Sequence, residues 1–204
     1  MRERLGICAV VLATVVGFPA VASADWLLTG FAGALSNVKT KATDSFPGET
    51  FKGSRALGVN LASAFAKKGN AGFELDWGVY NKALADSDRF GSEFASKLMA
   101  VSTNLFYSPA IPRYRPYITV GPTFTYRSDR EENRDPLEGG WAVGFNAGGG
   151  LIAFLNEYVG GRIDVRYTRN IGDFVALTSV GDGGQLWNNL SYWRVVAGAT
   201  VVLR

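Results

Sequence analysis

The chain has 204 residues, a formal net charge of +3 and 47% apolar residues, enough for one domain or one closed barrel and no more apolar than an ordinary globular protein. It contains no histidine and a single cysteine, which excludes Ser–His and Asp–His catalysis, histidine-ligated metal sites and an internal disulfide framework. Its charges alternate in sign without a basic block, so no nucleic-acid partner is expected.

The first 24 residues read as a cleaved secretory signal. Arg2 and Arg4 supply a basic start, an apolar run follows from Ile7 to Val21, and Ala22-Ser23-Ala24 forms a small-x-small site before Asp25. The run is shorter than the 18 or so apolar residues expected of a membrane-spanning helix. Cys8 lies at the start of the apolar run and not at its end, which makes it a poor lipid-attachment site, and it would leave with the signal. The expected organisation is therefore a signal at 1–24 and one domain at 25–204.

Beyond residue 24, period-two stretches bounded by Gly, Pro, Asn and Asp predict eight strands. They are Asp25–Leu35, Gly53–Phe65, Asn70–Tyr80, Lys97–Tyr107, Tyr114–Arg127, Gly140–Ala153, Tyr158–Asn170 and Leu190–Leu203. Short connections follow the second, fourth and sixth: Ala66–Gly69, Ser108–Arg113 and Phe154–Glu157. Long ones follow the first, third, fifth and seventh: Ser36–Lys52, Asn81–Ser96, Ser128–Gly139 and Ile171–Asn189. A soluble sandwich has no reason to gather every long loop on one side, whereas a membrane barrel has short turns at one rim and long external loops at the other. About eleven residues at roughly 3.3 Å, tilted by about 40°, span about 28 Å, enough for an apolar band of roughly 25 Å.

Parity within the strands separates two faces. The third strand sets Ala71, Phe73, Leu75, Trp77 and Val79 against Gly72, Glu74, Asp76, Gly78 and Tyr80. The seventh sets Val159, Ile163, Val165 and Tyr167 against Tyr158, Arg162, Asp164 and Arg166, and the eighth sets Trp193, Val195 and Val201 against Tyr192, Arg194 and Thr200. An apolar face of this kind points inward in a soluble barrel and outward to lipid in a membrane barrel. Aromatic residues at the strand ends favour the second: Trp77, Tyr126, Trp141, Tyr167 and Trp193 at the loop end, with Phe65, Phe73, Tyr107 and Tyr114 at the turn end. Such belts mark the two membrane–water interfaces. The predicted fold class is all-β, an up-and-down antiparallel eight-stranded transmembrane β-barrel. Pro116 and Pro122 fit the fifth strand poorly, because each lacks an N–H.

With this order of elements the chain resembles the small outer-membrane β-barrel proteins, the OmpA-type transmembrane domain and the OmpX or Ail type. The resemblance covers the mature chain and rests on architecture, not on a tight motif. It implies residence in a bacterial outer membrane, contact with outer-membrane lipid and lipopolysaccharide, insertion by the barrel-assembly machinery, and loops that contact surface or host ligands. Many members end in an aromatic assembly signal; this chain ends in Val202-Leu203-Arg204. It also stops with the eighth strand, so no peptidoglycan-binding domain is expected.

The polar face carries Glu74, Asp76 and Asp164 with Arg115, Arg127, Arg162, Arg166 and Arg194. The bland reading is an ion-pair network filling the lumen, since enclosed charges must be paired; the sharper one is a gate or solute path. An eight-stranded interior is about filled by side chains, which favours the first. Glu74 and Asp76 are neighbours on one strand face, where arginines are expected to neutralise them. Gly148-Gly149-Gly150 lacks the Lys-Ser or Lys-Thr of a phosphate loop and reads as close packing or a bulge. Asn189-Leu190-Ser191 matches a glycosylation triplet that arises often by chance. The charged loop Ser128–Asp135 and the Asp173, Phe174, Asp182 and Trp187 loop are the remaining binding candidates. No catalytic residue, metal or cofactor is expected. The predicted function is a non-enzymatic structural or surface-interaction barrel. The alternatives are a narrow small-solute channel, a soluble periplasmic cavity-binding barrel and a lipid-modifying enzyme that works without histidine.

Overall fold

A computed structural model describes residues 26–39, 50–51, 54–64, 71–81, 95–109, 113–130, 137–171, 175–176 and 190–203. The signal segment, Asn189 of the glycosylation-like triplet, Phe65 and most of the four long loops lie outside the described residues. Ten strands follow one another: β1 Trp26–Lys39, β2 Thr50–Phe51, β3 Ser54–Ala64, β4 Ala71–Asn81, β5 Ala95–Tyr107, β6 Tyr114–Arg130, β7 Leu137–Phe154, β8 Val159–Asn170, β9 Val175–Ala176 and β10 Ser191–Leu203. Eight of them are the staves; β2 pairs only with the upper end of β1, and β9 with β7.

Each stave pairs antiparallel with the next, and β10 pairs with β1 from Trp26↔Leu203 upward, which closes the cylinder. Closure leaves the eight staves without an unpaired edge. The turn between β7 and β8 is held by Asn156, whose Oδ1 accepts the N–H groups of Tyr158 and Val159 at 2.9 Å each, an Asx turn that reverses the chain in four residues.

The alternation read from the sequence is the alternation of burial. In β8 every second residue is buried from Gly160 to Asn170, and β4 behaves the same way from Gly72 to Tyr80. The polar set is the buried one. Leu105, Ile118 and Ile163 are 60%, 65% and 58% exposed on the outer wall, while Glu74, Asp76, Arg162, Asp164, Arg166 and Arg194 are buried inside. The apolar face therefore points outward, the reverse of a soluble barrel.

Several staves run past their predicted ends at the loop side. β1 continues to Lys39, β5 starts at Ala95, β6 continues to Arg130 and β7 starts at Leu137. Beyond the apolar belt both faces meet polar surroundings, so alternation fades there although the backbone ladder persists. The 18 residues of β7 reach roughly 60 Å at 3.3 Å each, well beyond a belt of about 25 Å.

Pro116 and Pro122 sit in an unbroken β6, with Pro116↔Leu151 and Pro122↔Phe145 on the β7 side. Six residues apart, they aim their missing donors at the same neighbour. That neighbour is β5, where the ladder runs Ser102↔Thr123, then Leu105↔Val120, with no bridge at the level of Pro122. Pro116 lies beyond the last β5–β6 pair, Tyr107↔Ile118. The fifth strand absorbs both prolines by giving up pairing on one edge.

Candidate functional site

Alternation places Glu74 and Asp76 on the inner face of β4, and Arg162, Asp164 and Arg166 on that of β8. The two staves lie diametrically opposite, four places apart in either direction around the closed order. Their side chains therefore meet across the lumen.

Arg162 Nη2 donates to Glu74 Oε2 at 2.5 Å and Arg162 Nε donates to the Tyr117 hydroxyl at 2.8 Å. Arg162 also lies over the Tyr117 ring, 4.4 Å from its centroid. The Tyr117 hydroxyl in turn donates a hydrogen bond to Asp164 Oδ2. Arg166 grips Asp164 through Nε and Nη2 at 2.8 Å each. Its Nη1 is 2.7 Å from Glu74 Oε1 but makes no aligned hydrogen bond, so that contact is Coulombic. Arg194, from β10, binds Asp76 in bidentate fashion at 2.6 and 3.0 Å and reaches Asp164 Oδ1 at 3.2 Å. Three guanidinium groups thus face three carboxylates, and the layer is electrically neutral. Neutrality is what makes burial of six charges tolerable, since an unpaired one would cost several kcal/mol.

Neutral side chains fill the remaining lone pairs. Asn104 Nδ2 and Thr119 Oγ1 donate to Glu74 Oε1 at 2.9 and 3.2 Å, and Asn60 Nδ2 donates to Asp76 Oδ2 at 3.2 Å. Asn146 joins through Asn104 Oδ1 at 2.8 Å. The void bordered by Phe31, Asn60, Asp76, Arg166, Arg194 and Val196 has no room for a water molecule.

Above and below this layer apolar clusters share the lumen with buried polar groups such as Thr125, Thr168 and Asn170, or Thr29 and Thr200. Phe31, Leu35, Val38, Leu98, Leu190 and Val196 pack with Tyr80 and Tyr192 toward the loop end. Leu27, Phe106, Ile152 and Val202 pack with Tyr117 toward the turn end. The charged layer thus lies between two clusters of apolar side chains.

Six of the eight charged residues selected from the sequence meet here. Arg115 does not: it stands at the turn end with its guanidinium 5.1 Å from the Phe154 ring centroid. It shares the inward parity of the network but lies near the start of β6, too far down the cylinder to reach Glu74. Arg127 is buried near the loop end of β6, opposite Leu98 and Gly140, outside the contacts that join the six. Asn60, Asn104, Asn146, Tyr117 and Thr119 were missed as members. Their signal was parity, since each shares the face of a charged or small residue. The inward apolar clusters were missed as well: Leu27, Phe31 and Leu35 are in phase with Thr29, opposite to Trp26 and Leu28.

The glycine run earns its place through the network. A Cβ on Gly148 would lie 2.6 Å from Arg166 Cγ, and one on Gly150 would lie 2.5 Å from the Tyr117 hydroxyl. Both pair in regular register with β8, so the run is close packing and not a bulge. Gly150→Val is expected to destabilise the barrel by about 1–3 kcal/mol through overpacking, measured as a lower urea midpoint. An unchanged midpoint would mean that both the Ile163 backbone carbonyl, the nearest atom to the added Cβ, and Tyr117 can move aside.

Of the selected aromatics, Trp77, Trp141 and Trp193 are exposed on the outer wall near the loop end, and Tyr107 and Tyr114 near the turn end. Tyr126 and Tyr167 are half-buried because each rests on a tryptophan: Tyr126–Trp141 at 4.9 Å and Tyr167–Trp193 at 5.1 Å between centroids. Phe73 is half-buried. Trp26 and Tyr158 join the turn-end set, 47% and 55% exposed; Tyr158 belongs to the turn and escapes the inward parity of its strand. Among the described residues, no cluster of three or more Asp, Glu, His or Cys side chains is arranged to hold a metal ion.

No protein-family model matches the chain, and no curated protein matches it. Solved structures do. Neisserial surface protein A superposes with a TM-score of 0.59 at 14% identity, over 88% of this chain and 98% of that one. The N-terminal β-barrel domain of Pseudomonas aeruginosa OprF gives 0.55 at 12% identity, over 88% and 97%. Ail, the attachment invasion locus protein of Yersinia pestis, gives 0.51 at 14% identity, over 87% and 97%. Closed order, eight staves and an outward apolar wall agree with these likenesses: the chain has the fold of the small eight-stranded outer-membrane β-barrels.

Proposed function

We propose that this chain is a non-enzymatic bacterial outer-membrane protein that acts through its external loops as a structural or surface-interaction protein. The observation that carries the reading is the inverted barrel, with an apolar outer wall around a neutral, sealed charge layer. An outer wall of Leu105, Ile118, Val143 and Ile163 suits lipid and not water. A lumen without room for a water molecule at its charged layer argues against a solute channel and against a ligand cavity. Both leave the loops as the part free to contact a partner. The lipid belt and lipopolysaccharide would surround the wall, and the barrel-assembly machinery would insert it.

Cell fractionation followed by gel electrophoresis with and without boiling tests the placement. The protein is expected in the outer-membrane fraction, with unboiled material running at a shifted position because the closed ladder survives cold detergent. Release in a wash without detergent, with no shift, would overturn the placement. In planar bilayers the folded protein is expected to show no reproducible conductance steps; discrete steps would return the channel reading.

A further inference from the structure

We infer that the outer wall of β8, β10 and β1 is a binding site for a phosphorylated, acylated lipid of the outer leaflet, an inference that rests on the membrane placement proposed above. The inference starts from register. Ser191 of β10 pairs with Arg169 of β8 on one side and with Lys39 of β1 on the other. Arg169 and Lys39 are exposed, on strands that flank Ser191 at about 4.8 Å each, so their backbones stand roughly 10 Å apart, within reach of one group from both long side chains. That spacing admits a phosphate group held from both sides, with the arginine fork offering two donors. Arg55 and Lys97 are also exposed at the loop-side ends of their strands.

Below the cations lies the Tyr167–Trp193 ring pair, at the depth where aromatic groups meet headgroups. Below that the wall becomes smooth. Outward positions on β1 are Gly30, Ala32 and Ala34, facing Ala199, Ala197 and Val195 of β10. A Cβ at Gly30 or at Gly161 of β8 would meet nothing within 4 Å, so these positions are open depressions. Larger side chains border them: Leu57 and Val59 of β3 on one side, Ile163 and Val165 of β8 on the other. The result is a shallow apolar channel running down from a cationic pair, the shape of a headgroup with its chains.

A basic residue away from the channel provides the comparison. Lys97 pairs with Asn81, and Val79 and Met99 stand directly beneath it, without a depression, whereas Arg55 pairs with Ala34 and borders the channel itself. If geometry matters beyond charge, Lys97 must behave differently from Lys39 and Arg169.

The test uses the folded full barrel in phosphatidylcholine nanodiscs, with bis-phosphorylated lipid A added and bound lipid counted by native mass spectrometry. Lys39→Gln with Arg169→Gln is expected to weaken lipid A binding about tenfold, the loss of one to two charge-assisted contacts. Lys97→Gln is expected to change it less than about twofold. Ala32→Leu with Ala199→Leu fills the channel and is expected to weaken binding with both cations in place. A Lys97→Gln loss as large as that from Lys39→Gln alone would reduce the effect to diffuse rim charge and overturn the site. Competition by millimolar inorganic phosphate as effective as by lipid A would make it a simple anion site and overturn the lipid. A channel-filled variant that loses a dimer, and not a lipid, would assign the wall to a second copy of the chain. A wild-type barrel that is folded and membrane-inserted yet holds lipid A no better than phosphatidylcholine sinks the inference alone; a chain that never enters the membrane sinks the placement beneath it.

Discussion

Replacing Glu74 with glutamine is expected to lower the unfolding free energy by about 3–5 kcal/mol, the usual result of breaking a buried ion pair on one side. Glu74 is fully buried and is shared by Arg162 at 2.5 Å and Arg166 at 2.7 Å. Without its charge, three guanidinium groups face two carboxylates in a layer that water does not enter. Neither Asp164 nor Asp76 can take over, because each already binds two or more arginine nitrogens. Urea titration of the barrel in lipid vesicles, followed by fluorescence of the wall tryptophans, gives the number. Adding Arg162→Met to Glu74→Gln restores neutrality and is expected to recover part of the loss, since apolar replacement of a whole ion pair is often neutral. A double variant no better than the single one would show that lost shape, and not charge imbalance, sets the cost. A single variant within about 1 kcal/mol of wild type would mean that water reaches the layer.

Ile163→Arg is expected to destabilise the barrel by about 2–4 kcal/mol, the cost of an arginine near the middle of the lipid-facing wall. Ile163 is 58% exposed and lies near mid-height of β8, opposite Ala197 at the centre of β10. On a soluble protein the same exposed position would tolerate arginine within about 0.5 kcal/mol. The substitution therefore asks which solvent touches the wall. The same urea titration gives the answer, and arginine at Arg55 height provides the native reference for a cation the rim accepts. A change under about 0.5 kcal/mol would mean that water covers the wall and would remove the membrane placement.

The eight staves were legible because lipid-facing and lumen-facing positions alternate with period two. That signal survived the prolines of β6, whose cost fell on one edge of a ladder and not on the pattern of faces. It failed at the loop ends, where β1 runs on through Val38 and Lys39 and β7 begins at Leu137, because polar surroundings on both sides remove the alternation while the hydrogen bonds continue. It also failed for the inward apolar clusters. Leu27, Phe31, Leu35 and Ile152 are apolar and inward, so composition alone assigned them no face; only phase against Thr29 or Arg115 could have done so.

The amino-acid sequence by itself determined the eight staves, though not the short strands β2 and β9 within the long connections, and which charged residues share a face, because each is a property of neighbours along the chain. It could not say which charges meet. Arg115, Arg162, Arg166 and Arg194 look equivalent in parity, yet height along the cylinder separates Arg115 from the rest. Glu74 and Arg162 are 88 residues apart in sequence and touch because closure sets β4 opposite β8. The tertiary structure alone decided that pairing, the seal of the lumen and the juxtaposition of Lys39 with Arg169 across Ser191, because stagger and closure are relations among all eight staves and leave no mark on any one of them.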